Sequence, residues 1–181
     1  MLHIQYPDFS EANELLARPT DADAVARREK VAALLTTIRA EGDVAVRRLS
    51  LQFDGFEPAE LELTAAEIAA AVAQVPADLQ AAICQAYANI RTFHAAQREQ
   101  LPLVETMPGV RCWRKSLPIE RVGLYIPGGT APLFSTVLML GVPAQLAGCR
   151  EVVLCTPPRP DGSVHPAVVF AAQLCGIRQI F

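Results

Sequence analysis

The sequence has no unbroken apolar run approaching a membrane span, and its N-terminus, MLHIQYPDFSE, has neither the basic start nor the apolar core of a signal peptide. A cytoplasmic location is the default expectation, with no membrane partner. Charge is scarce as well: charged residues make up 19% of the 181 positions, the net charge is -3, and no long acidic or basic run occurs, so there is no basic patch to hold nucleic acid. The five cysteines, Cys84, Cys112, Cys149, Cys155 and Cys175, are odd in number and form no CxxC pair or Cys/His metal spacing. They read as reduced thiols, several of them buried as small hydrophobes. The histidines, His3, His94 and His165, are far apart and make no HxxxH pattern, so these residues make no case for a metal site. Against these absences stands an apolar fraction of 51%, enough for a sizeable core in one domain or two small ones, and it argues against disorder.

The first two-thirds of the chain read as mainly helical. Residues 2–6 read as a short strand or an extended arm, and Ser10 with Glu11 and Glu14 predicts a capped helix over 10–17. From Asp23 a longer helix is expected, with Val31, Leu34, Leu35 and Ile38 on one face and Gly42 closing it. Asp43 is expected to cap the next helix, whose stripe is Val46, Leu49 and Phe53, before an Asp54-Gly55 turn. After a short extended piece at 61–63, Thr64 and Glu67 match a capping box, in which each side chain satisfies a free N–H at the helix start. That helix ends before Pro76. Another runs over about 77–98, with Leu79, Ile83, Tyr87, Ile90 and Phe93 on one side and His94, a packing or surface residue, beside them. Beyond Pro102 the pattern alternates: strands are expected at 104–106 and 110–116 around a Pro108-Gly109 turn. Trp113 between Arg111 and Lys115 reads as an edge hairpin whose charges discourage aggregation, in preference to a weak anion or base-stacking surface.

From Arg121 strand and helix alternate. The expected order is strand 121–126, helix 133–147 closed by Gly148, strand 151–155, helix 166–175 closed by Gly176, and an apolar run at 177–181 that begins a third strand. Two successive βαβ units predict a parallel sheet. Pro143 is expected to kink or restart the first of these helices. The chain stops with the sheet half built, which suggests the N-terminal part of a longer protein.

The first strand runs into Pro127-Gly128-Gly129, a turn at the carboxyl end of a parallel strand and the start of a helix, where α/β proteins place ligands. Two explanations stay open: a ligand site, or a tight connection that needs glycine. The turn is neither GxGxxG nor a P-loop with its lysine, so it does not by itself specify a dinucleotide; Thr130 supplies a hydroxyl beside it. Tyr125, at the strand end, could stack on a base or donate a hydrogen bond, or simply cap the sheet edge. The loop from Pro157 to Gly162 lies at the same edge and either borders the same crevice or is a stiff surface loop. Cys149 and Cys155 raise the possibility of a thiol nucleophile, but neither has a histidine near in sequence to activate it, and core packing is expected for both.

The run VGLYIPGGTAPLFSTVLMLGVPAQLAGCREVVLCTPP, together with AAQLCGI, EGDVAVRRLSLQFDG, NIRTFHAAQ and ETMPGVRCWRKSLPIERVGLY, resembles the histidinol dehydrogenase family over nearly the whole chain. The resemblance implies an α/β fold of aldehyde dehydrogenase-like architecture: a helical N-terminal segment leading into an incomplete Rossmann-like parallel sheet. Residues 1–117 would be a mainly helical region ending in a β-hairpin, and 118–181 the truncated first part of the NAD-binding domain. The implied enzyme is a homodimer that oxidises L-histidinol to L-histidine through an aldehyde, with NAD and zinc. Tyr125 corresponds to the family's NAD-contacting tyrosine, and Pro127, Gly128 and Gly129 would lie against the cofactor. The zinc ligands, the catalytic glutamate-histidine pair and the remaining cofactor contacts would all lie after Phe181, leaving these residues alone inactive. The competing expectation is a non-catalytic binding or assembly module whose open sheet a partner completes.

Overall fold

A computed structural model describes Asp8 and residues 23–99, 101–128 and 131–181. The expectations for 2–6 and 10–17, and Gly129 and Thr130, lie outside the described residues. The chain separates into two compact units, Met1–Val46 and Arg47–Phe181.

In the first unit, helix α1 (Ala24–Glu41) ends at Gly42, and α2 (Asp43–Asp54) begins directly after it and continues into the second unit. Gly42 serves both helices: its N–H donates to the Ile38 carbonyl at 2.8 Å, and its own carbonyl accepts from Ala45 and Val46 at 3.1 and 3.3 Å. Asp43 is therefore the first helical residue of α2 rather than its cap, and its carboxylate favours the positive end of the helix dipole from there. The expected apolar stripe of α1 is real as a face but is not covered among the described residues; Val31 and Leu35 are each about half exposed, and α1 has no buried residue. In α2, Ala45 is the buried residue and Phe53 is exposed.

The second unit is built on a three-stranded parallel sheet, β3 (Arg121–Tyr125), β4 (Glu151–Cys155) and β5 (Gln179–Ile180), in that order. Tyr125 pairs with Cys155 and Leu154 with Ile180. Helix α5 (Phe134–Ala147) connects β3 to β4, and α6 (Pro166–Leu174) connects β4 to β5, giving the two βαβ units expected from the sequence. Side chains alternate across the sheet. Leu124, Ile126, Leu154 and Ile180 are buried with Val137, Leu138 and Val142 of α5, whereas Arg121, Gly123, Tyr125 and Cys155 are exposed on the other face.

Residues 167–172 of α6 are all buried, which is the pattern of a helix enclosed on every side. Besides α5, it packs against α3 (Ala65–Ala73) and α4 (Ala77–Ala96). Gly141 of α5 packs tightly on the end of α6, where a Cβ would lie 2.8 Å from both Cβ and Sγ of Cys175. Helix α3 starts with the expected capping box: Thr64 Oγ1 accepts from the Glu67 N–H at 3.2 Å, and Glu67 Oε2 accepts from the Thr64 N–H at 2.8 Å. These bonds hold the Glu67 carboxyl below its ordinary pKa, the Thr64 side chain contributing most. In α4, Ile83 is buried, Leu79, Tyr87 and Ile90 are partly buried, and Phe93 turns out to solvent.

The structure also decides expectations at Pro143 and at the second strand. Of the kink or restart expected at Pro143, the restart is excluded: helix α5 runs unbroken from Phe134 to Ala147, and the carbonyl four residues back, at Met139, forgoes its helical donor. Strand β2 (Val110–Cys112) pairs antiparallel with β1 (Val104–Met107) around Gly109 at φ 82°, and it ends before Trp113, four residues short of Ser116. The piece at 61–63 is tied to the sheet by the Leu63 N–H, which donates to the Ile180 carbonyl at 2.8 Å.

Candidate functional site

At the carboxyl edge of the sheet, β3 and β4 end level with each other, and the Ile126 N–H continues their ladder by donating to the Cys155 carbonyl at 2.9 Å. The chain then leaves in two loops, one rising to α5 and the other to α6. Between them is a crevice of about 360 Å³ whose walls include Pro127, Gly128, Pro132, Thr156, Pro157, Pro158, Arg159, Pro160 and His165. The five prolines stiffen the walls and contribute no N–H donors of their own, while Thr156, Arg159 and His165 supply polar groups. Of the two alternatives for the loop from Pro157 to Gly162, the structure takes the first: it borders the same crevice as the glycine turn.

Gly128 stands where the two loops meet. A Cβ there would lie 2.7 Å from Pro157 Cγ, too close for any other residue unless the proline moves, so the glycine is required by the approach of the second loop. Pro127 lines the same space. Gly129 lies outside the described residues. Tyr125 is 64% exposed on the uncovered sheet face, one strand position before the turn; it stands beside the crevice rather than among its lining residues.

The two helices that start at the crevice differ at their N-termini. Leu133 gives α5 no side-chain cap, so among the described residues its first N–H groups are left without that partner, as an anion-binding helix start requires. In α6, His165 Nδ1 accepts from the Ala167 N–H at 3.2 Å, and Pro166 occupies the first turn, where its missing donor costs nothing. This bond requires the neutral imidazole with its proton on Nε2. Burial first, and then the Arg159 guanidinium, hold the His165 pKa below its ordinary value. The His165-Pro166 step before an apolar helix is the local signal for this cap, a weak one because histidine is not among the usual capping residues.

The cysteines depart from the expected core packing. Cys155 is exposed, because its position in β4 points it to the uncovered face beside Tyr125, and Cys149 is half-buried after α5. Cys175 is the buried one, and burial pushes its thiol up to about 11, which makes it inert as a nucleophile. Among the described residues, no group of three His, Cys, Asp or Glu side chains could hold a metal ion, and no helix is long and apolar enough to cross a membrane.

A larger groove of about 690 Å³ lies elsewhere, between the end of α4, residues 114–118 and α5, and it includes His94, Arg98, Arg114 and Lys115. There Arg114 Nη2 pairs with Glu99 Oε2 at 3.2 Å, joining side chains that are 78% and 72% exposed. His94 Nδ1 lies 2.7 Å from Gln97 Oε1, and its ring meets Phe93 edge-on, as befits a surface packing residue. Solvated, mobile charges of this kind make a poor preorganised site, and the crevice with its rigid walls is the better candidate despite its smaller volume.

A sequence model described as histidinol dehydrogenase matches residues 17–181. Among curated proteins, the histidinol dehydrogenase of Bacteroides fragilis is 52% identical over 178 residues, covering 98% of this chain and 41% of the relative. That of Xanthomonas campestris pv. campestris is 54% identical over 168 residues, 93% of this chain and 39% of the relative. The crystal structure of histidinol dehydrogenase from Elizabethkingia anophelis superposes with a TM-score of 0.89 at 44% identity, covering 96% of this chain and 40% of that one. The chain thus spans about two-fifths of the length of the relatives it matches.

Proposed function

The chain belongs to the histidinol dehydrogenase family, and from that premise we propose that its 181 residues supply part of the cofactor wall of an NAD-dependent enzyme that oxidises L-histidinol to L-histidine. In this reading residues 118–181 begin the NAD-binding domain and 1–117 form the helical region and hairpin that precede it. The assembled enzyme is a cytoplasmic homodimer in the histidine biosynthetic route. NAD, when bound, accepts a hydride from the substrate carbon. The task of these residues is to bind and orient: Tyr125 offers an exposed ring and hydroxyl, Pro127 and Gly128 (with Gly129) let the cofactor approach backbone closely, and the uncapped start of α5 offers N–H groups to a phosphate.

The observation that carries this proposal is the close meeting of Gly128 with Pro157 at the carboxyl edge of a parallel sheet, which sets how near the two walls of the crevice stand. Zinc belongs to the same enzyme reading. The described residues do not fit it, having no metal-holding group, and none of the tasks assigned to them passes through a metal. The zinc ligands, the general acid–base pair and the other cofactor contacts are assigned to sequence outside these residues, so the chain alone is expected to bind NAD without turning over histidinol.

A second reading, an assembly module completed by a partner, draws on the uncovered sheet face that exposes Tyr125 and Cys155. Saturation-transfer NMR of the chain with NAD separates the two. Transfer to NAD, with no NADH formed when L-histidinol is added, is the expected result. Absence of transfer at millimolar NAD would remove the cofactor wall and leave the assembly module.

A further inference from the structure

The loop that forms the second wall of the crevice is held together internally. Gly162 N–H donates to the Arg159 carbonyl and Arg159 N–H to the Ser163 carbonyl, both at 2.8 Å. Asp161 Oδ1 accepts from the Ser163 N–H at 3.0 Å and from its hydroxyl at 2.6 Å. These bonds fix the loop's own shape, but each begins and ends within 159–163, so none fastens it to the rest of the molecule.

The loop is anchored at its start, where the Thr156 N–H donates to the Phe181 carbonyl at 2.9 Å, and at its end, where Val164 is buried in the core; between them a further hold comes from a distant residue. The ring of Phe56 lies directly against Gly162: a Cβ at Gly162 would fall 2.3 to 2.7 Å from three of its carbons. Gly162 also has φ +79°, so glycine is required there both by the backbone and by the ring. Phe56 is itself a fixed post. The chain turns out of α2 at Gly55 with φ +73°, Arg47 donates through Nε to the Pro58 carbonyl and through Nη2 to the Ala59 carbonyl, both at 3.2 Å, and Leu63 is bonded to Ile180 of β5.

We propose that Phe56 is a positioning residue for the crevice: by clamping Gly162 it holds the Pro157 wall against Gly128, so the site is formed before a ligand arrives. A dinucleotide then binds without the cost of ordering a proline-rich loop, and this advantage appears as affinity. The proposal rests on the NAD reading of the crevice.

The test is hydrogen exchange at the amides of Arg159, Gly162 and Ser163, together with an NAD titration, on the chain and its Phe56→Ala, Phe56→Leu and Gly162→Ala forms. Phe56→Ala should speed loop exchange and weaken NAD binding, each by about tenfold, the loss of one aromatic contact, while exchange in α5 and β3 stays unchanged. Phe56→Leu, which keeps part of the apolar contact, should recover part of both. Gly162→Ala should reproduce the Phe56→Ala result by displacing the ring from the other side. Unchanged loop exchange in Phe56→Ala refutes the clamp. Faster exchange with unchanged NAD affinity refutes its role in positioning. A wild-type chain that shows loop protection but no NAD binding overturns the cofactor reading itself and with it the positioning role, while the clamp is seen intact.

Discussion

The seam between α5 and α6 carries both crevice helices, and the close packing at Gly141 is open to a direct test. Gly141→Ala would place a Cβ 2.8 Å from Cys175 Cβ and Sγ and 3.5 Å from Ile177 Cδ1. Ordinary contact begins near 3.4 Å, so the two helices must part by about 0.6 Å, the difference between 3.4 and 2.8 Å. Rotating the Cys175 side chain moves Sγ but leaves Cβ in place, while Ile177 stays in ordinary contact. Alanine is favoured over glycine in a helix interior by about 1 kcal/mol, and the buried methyl adds roughly 0.8 kcal/mol. Overpacking costs about 1–3 kcal/mol in a close-packed core, and because Cys175 Cβ cannot turn aside the upper end applies, so we expect a net loss of about 1 kcal/mol. Urea denaturation followed by circular dichroism measures it, with an unchanged m-value confirming that the unfolding transition itself is the same. Combining Gly141→Ala with Cys175→Gly removes the obstructing atoms and should recover about 1 kcal/mol as coupling between the two positions. A Gly141→Ala chain as stable as wild type, or more so, would show that helix propensity prevails and that the seam is looser than described.

Three other outcomes follow from the geometry. Gly128→Ala should leave the fold intact but drive Pro157 away, weakening NAD binding about tenfold or more in an NMR titration; equal affinity would mean the close approach is not needed. Because the folded pKa of His165 is lowered, its contribution to stability is fully present above about 6.5 and is lost as pH falls through the lowered folded value. Acidification should therefore break the Nδ1 cap of α6, seen as loss of the Nε2–H tautomer in imidazole nitrogen shifts and a lower melting temperature, and His165→Ala should flatten that response. Thr64→Ala should cost about 1 kcal/mol by uncapping α3, measured in the same urea titration, and no loss would mean the capping box contributes nothing.

What could be read in the sequence was mainly local. Thr64 and Glu67 announced their own hydrogen bonds, and the strand–glycine–helix order after Arg121 announced a parallel sheet, because both depend on residues close in the chain. What depends on partners was harder to see. The spacing of Val31 and Leu35 defines a face but not what covers it, and both are exposed among the described residues. Alternation continues through Arg111, Trp113 and Lys115, but pairing stops at Cys112, since a strand persists only as far as its neighbour does. Cys155 and Cys175 look alike as cysteines flanked by apolar residues; one lies on the uncovered sheet face and the other in the α5–α6 seam. At the site, Pro127 and Gly128 were visible as a turn, and the Pro157 loop as one of two alternatives. The clamp of Phe56 on Gly162 joins positions far apart in sequence, and no local pattern marks it.

The central claim is that Tyr125 and its turn form a wall for NAD, and the affinity of the chain for NAD with and without the ring tests it most directly. Wild type, Tyr125→Phe and Tyr125→Ala should be titrated with NAD by saturation-transfer NMR, with circular dichroism showing that each is folded. The ring is exposed, so its removal should leave stability nearly untouched, while the loss of stacking weakens binding about tenfold in Tyr125→Ala and much less in Tyr125→Phe. A folded Tyr125→Ala chain that binds NAD as well as wild type would contradict the account.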